Sequence, residues 1–88
     1  MVQIVFRRAA ERALNRLPAA RRRQIVGRIE RLASGSASRR NLDIMPLEGG
    51  SGLIRLRVSD YRVLFSVGED ADTVTIELIR CRGDVYKR

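Results

Sequence analysis

The sequence predicts a two-layer α+β fold in the order β-α-α-β-β-β: an N-terminal strand, a helical hairpin and a three-stranded antiparallel meander. Three observations carry this. Residues 53–64, LIRLRVSDYRVL, alternate apolar and polar side chains on both sides of Ser59-Asp60, the period-two mark of a hairpin with one buried face. Residues 8–33 repeat apolar positions at helical spacing around Pro18. Residues 73–79, TVTIELI, are a β-branched run long enough for one more strand. A chain of 88 residues suffices for one modest core, so the expectation is a single domain over 1–88.

Each element has its own justification. Gln3 to Phe6, QIVF, is a short first strand. Over residues 8–17, Ala9, Ala10, Ala13, Leu14 and Leu17 recur at helical spacing, with Arg8, Glu11, Arg12, Asn15 and Arg16 opposite. Pro18 cannot continue a helix interior but suits the first turn of a new one, and a second helix follows over 19–33. Its inner stripe is Ile25, Val26, Ile29, Leu32 and Ala33, and Gly35 is a stop signal. Residues 41–47 and 48–52 connect the helices to the hairpin, with Leu42, Ile44 and Leu47 under the sheet. The glycines of EGGSG lack the spacing of a phosphate loop.

The hairpin register can be written from the alternation alone. With Ser59-Asp60 as a two-residue turn, Val58 faces Tyr61, Arg57 faces Arg62, Leu56 faces Val63, Arg55 faces Leu64 and Ile54 faces Phe65. Every second pair is then apolar and belongs against the helices. Ser-Asp is a weaker turn signal than Asn-Gly, so a longer loop with the same faces stays open. The opposite, uncovered face gathers Arg55, Arg57 and Arg62. Like charges opposed on a sheet are destabilising unless an anion sits between them, and the alternative is a solvated polar face.

Charge narrows the function. The net charge is +8, and its distribution is uneven: residues 1–40 hold 11 arginines and two acids, residues 41–88 seven basic residues and eight acids. All basic residues but Lys87 are arginine. A guanidinium offers a planar fork to phosphate and rarely releases its proton, which suits polyanion binding; a genome-wide preference for arginine gives the same composition. The outer helical face, with Arg12, Arg16, Arg21, Arg23, Arg28 and Arg31, reads equally as a solvated surface. No apolar run has the length of a membrane span and MVQIVFRR lacks the form of a signal peptide, so a cytoplasmic chain without membrane contact is expected.

Inventory then removes most chemistry. There is no histidine and the one cysteine, Cys81, has no partner for a disulfide or a Cys-His nucleophile. No metal site and no cofactor are expected, since the acids Glu69, Asp70 and Asp72 lack the spacing of a calcium loop. Cleavage of RNA by its own 2′-hydroxyl needs neither, only donors for a dianionic phosphorane, a proton acceptor and a proton donor. Arginines on a rigid sheet can supply the first, and Tyr86 can stack on a base or touch the ribose.

The run RLRVSDYRVLF followed by RCRGDVY resembles the RelE/ParE superfamily of bacterial toxins, and the resemblance spans nearly the whole chain. It implies a RelE-like fold and a toxin of a type II toxin-antitoxin system. RelE-type members are ribosome-dependent mRNA endonucleases; ParE-type members poison DNA gyrase and lack the nuclease residues. Carried over, Arg55 falls on the second residue of a basic pair, Arg62 on the arginine that stabilises the phosphate, Arg80 on the strand-end arginine proposed as general acid and Tyr86 on the terminal tyrosine. Arg57 and Arg82 are neighbouring RNA-binding positions. This favours the RelE type and implies mRNA, the ribosome and a small acidic antitoxin as partners. The first basic position, however, is Leu53, and an arginine in the second is a reluctant base. A gyrase inhibitor and a weakened relative that only binds its antitoxin therefore stay open. A tension also marks the last strand: Val74, Ile76 and Leu78 share parity with Arg80, so a bulge or strand end near Ile79 is needed to turn Arg80 out of the core.

Overall fold

The computed structural model describes residues 2–34, 42–47, 49, 52–69 and 72–81. Strand β1 (Gln3–Phe6) leads into helix α1 (Arg8–Asn15) and helix α2 (Ala19–Ala33), followed by β2 (Asp43–Pro46), β3 (Ile54–Val58), β4 (Tyr61–Val67) and β5 (Thr73–Cys81). The strands form one sheet in the order β1-β5-β4-β3-β2. Helix α1 packs over β5 and α2 over β3, so both helices lie on one face. No helix among the described residues is long and apolar enough to cross a membrane.

The helix boundaries follow local chemistry. Pro18 is the N-cap of α2 with φ −56° and ψ 150°, and its carbonyl accepts from the Arg22 N–H at 3.0 Å, the first turn of the helix. Proline has no N–H to satisfy there, which is why the break between the helices falls beside it. Helix α1 ends before Arg16, whose N–H bonds the carbonyls of Arg12 and Ala13 at 3.2 Å, so the predicted residues 16 and 17 form a closing turn. The buried faces follow the periodicity except at Ala9, which is exposed: Ala10, Leu14, Ile25, Ile29 and Leu32 meet Leu56, Val58, Val63, Phe65, Val74, Ile76 and Ile79. Removing each large side chain of that set from water contributes about 1.5–3 kcal/mol.

All predicted hairpin pairs are present: Ile54 with Phe65, Arg55 with Leu64, Leu56 with Val63, Arg57 with Arg62 and Val58 with Tyr61. Ser59 takes φ 55°, so the first central residue of the two-residue turn adopts the left-handed backbone that matches the twist of the flanking strands.

Two features depart from the sequence reading. The connecting segment contains a fourth partner for the meander, β2, which pairs antiparallel with β3 from Asp43 opposite Arg57 to Pro46 opposite Ile54. Only four residues long and ending in proline, it is tolerated because it lies at the sheet edge, where an absent N–H disrupts no ladder. Leu42 and Ile44 pack against the core as expected. The sheet is also mixed: β1 runs parallel to β5, from Gln3 opposite Thr73 to Phe6 opposite Ile76. The helices carry the chain from one edge to the other, and three antiparallel returns bring β5 back beside β1.

Candidate phosphate-binding face

The uncovered face of the sheet is built by parity. Arg57 opposes Arg62 across β3 and β4, and Arg62 opposes Arg80 across β4 and β5, so three arginines occupy one row over three neighbouring strands. Strands in a sheet lie about 4.8 Å apart, which places these guanidinium stems within reach of a single phosphate. Arg57 and Arg80 are exposed and Arg62 is half-buried. Among the described residues no carboxylate pairs with any of the three. Each opposed pair destabilises the free sheet by roughly a few tenths of a kcal/mol to 1 kcal/mol, a cost an anion between them removes. A shallow hollow beside the row is lined by Arg57, Ser59, Asp60, Tyr61 and Arg62.

Arg80 reaches this face because β5 is irregular. Leu64 opposes Leu78 while the next residue, Phe65, opposes Ile76, which leaves Glu77 as an extra residue. Ile76 and Ile79 are buried and the two residues between them are not, so the parity of the strand reverses there. The tension seen in the sequence is thus resolved by a bulge at Glu77, two residues before the expected position.

Arg55 stands apart. It occupies the next row, between Met45 and Leu64, with its side chain only 19% exposed. Its Nη2 bonds Asp43 Oδ1 at 3.2 Å, and its Nε is buried without a partner. Asp43 is half-exposed and heads the row through its pairing with Arg57. The expected set of free arginines therefore divides: Arg57, Arg62 and Arg80 lie together with no ion pair to a carboxylate among the described residues, and Arg55 is tied to Asp43. Arg82 and Tyr86 lie outside the described residues. On the helical layer, Arg12, Arg16, Arg21 and Arg23 are exposed and Arg28 and Arg31 half-buried, away from this row.

Two residues escaped the sequence reading. Asp43 shares the parity of Met45, which a recognised edge strand would have placed on the arginine face. Glu77 is the single acid within TVTIELI, and an acid inside an apolar strand is itself a signal of irregularity.

The family described as "ParE toxin of type II toxin-antitoxin system, parDE" matches residues 4–86. The chain belongs to this family. The toxin thus falls in the RelE/ParE superfamily, and solved structures agree in fold. The RelE–RelB complex of Pyrococcus horikoshii superposes with a TM-score of 0.76 at 28% identity, over 93% of this chain and 96% of that one. The RelBE2 toxin-antitoxin complex of Mycobacterium tuberculosis gives 0.61 at 27% identity, over 92% and 98%. The isolated RelE toxin of E. coli, at 15% identity and a TM-score of 0.71 over 92% and 84%, is similar in fold alone. No curated protein matches the toxin's sequence.

Proposed function

We propose that this toxin is a ribosome-dependent mRNA endonuclease, active in the cytoplasm as a single domain and held in check by an acidic antitoxin. The observation that carries the reading is the row Arg57, Arg62 and Arg80, gathered on one face without carboxylate partners among the described residues. In the reaction the RNA 2′-oxygen bonds to phosphorus while the bond from phosphorus to the 5′-oxygen breaks. The products are a 2′,3′-cyclic phosphate and a 5′-hydroxyl, and no metal takes part.

Arg62, at the centre of the row, is assigned to the non-bridging oxygens, where charge builds in the phosphorane. Arg80 is assigned to the leaving 5′-oxygen as donor, and Arg57 with Arg82 to the flanking backbone. Tyr86 is assigned to a base or ribose. An arginine is a poor acceptor for the 2′-hydroxyl proton, but a carboxylate is not. Asp43 at the head of the row is assigned that role, with Arg55 orienting it through their 3.2 Å contact. RelE partners named RelB in the similar complexes support an antitoxin for this chain.

A ParE-like, non-nuclease toxin acting on gyrase is the second reading. It is favoured by the family match and by Leu53 and the paired Arg55, which leave no free cation at either position of the basic pair. Induction of the toxin in growing cells separates the two. Translation stops first and mRNAs acquire new 5′-hydroxyl ends under the nuclease reading; DNA damage with intact mRNA refutes it.

A further inference from the structure

Glu77 is half-buried in the sheet, yet its carboxylate is gripped from two directions. Arg7, in the link from β1 to α1, approaches Glu77 Oε1 with its Nε at 3.2 Å, and Ser66 on β4 donates its hydroxyl to Oε2 at 3.1 Å. Arg7 also donates its backbone N–H to the carbonyl of Ile76 at 2.9 Å. The extra residue of the bulge is therefore held to the strand on one side and to the helix entry on the other.

The hydrophobic pattern alone does not select this register. In a regular strand Leu78 would continue the buried series of Val74 and Ile76, and Leu78 could occupy space that Ile79 fills. That slip would turn Ile79 outward and Arg80 toward the helices, because a one-residue shift exchanges the faces of every residue beyond it. We propose that Glu77 is a positioning residue: its clamped carboxylate pins the bulge and so keeps Arg80 in the row with Arg57 and Arg62. The consequence for cleavage rests on the nuclease reading; the consequence for register does not.

The test separates them. In Glu77→Ala, the cross-strand proton contacts between Arg62 and Arg80 in NMR spectra weaken, and the amides of residues 78–80 exchange about tenfold faster or more, the scale of one lost charge-assisted hydrogen bond. Cleavage of ribosome-bound mRNA falls with them. Arg7→Ala, which leaves the Ser66 bond, gives a smaller change in the same direction and serves if Glu77→Ala does not fold. Deletion of Glu77 removes the bulge itself, makes the pairs of Leu64 with Leu78 and Phe65 with Ile76 consecutive, and leaves Arg80 facing outward. It retains the Arg62 to Arg80 contacts and near wild-type cleavage. Unchanged contacts and exchange in Glu77→Ala overturn the proposal, as does lost cleavage with the pairing intact, which would make Glu77 a direct participant. Contacts that respond as described while the unsubstituted toxin leaves ribosome-bound mRNA uncut leave the clamp standing and remove the nuclease reading instead.

Discussion

Arg62→Ala is the most incisive perturbation of the arginine row, because Arg62, alone among the described residues, has an arginine directly opposite on both sides. Two opposed effects act on stability. Removing the central charge relieves two like-charge oppositions, roughly a few tenths of a kcal/mol each, while the half-buried stem of Arg62 gives up packing on the sheet. The terms offset to within about 1 kcal/mol, a shift in Tm of no more than about 4–8 °C. The transition state has no such compensation. A donor aimed at developing oxyanion charge is worth about 2.7–4 kcal/mol, so single-turnover cleavage of a defined mRNA on purified ribosomes falls about 10²–10³-fold. Thermal unfolding measured on the same preparation separates this loss from misfolding. A folded Arg62→Ala toxin that cleaves at close to the wild-type rate would refute the assignment.

Arg57→Ala acts on binding: affinity for single-stranded RNA drops and the slope of log K against log salt decreases by about 0.7, one phosphate contact, while the cleavage step keeps most of its rate. In Asp43→Asn, RNA binding is maintained and cleavage falls about 10²–10⁴-fold, the usual contribution of a general base; unchanged cleavage returns Asp43 to a purely structural ion pair with Arg55. At the hairpin turn, Ser59→Gly stabilises or is neutral and Ser59→Val destabilises by about 1–2 kcal/mol in denaturant titration, since only glycine carries no penalty at a positive φ. Phe65→Ala costs about 3–5 kcal/mol by the same measurement, because Phe65 is 2% exposed and paired with Ile54 and Ile76 in the core.

Features that depend on neighbours along the chain were legible from residue order alone. Apolar spacing in residues 8–33 marked both helices and their buried stripes, Pro18 marked the junction, and alternation through residues 54–65 specified which residue of β3 opposes which of β4. These follow from periods of 3.6 and 2, which are properties of local backbone geometry. The pairing of Arg57 with Arg62 was legible for that reason. Tertiary structure decided what depends on partners far apart in sequence. Strand β2 exists because β3 offers a free edge, and the four residues of DIMP carry too short an alternation to announce it. Asp43 reaches Arg55 only once that strand is in place. Arg80 is the clearest case: parity within β5 points it inward, and only the ladder with β4, the Glu77 bulge and the contacts from Arg7 and Ser66 turn it to the open face. A local pattern fixes how a strand alternates, but which face meets the core at its far end is set by the elements packed against it.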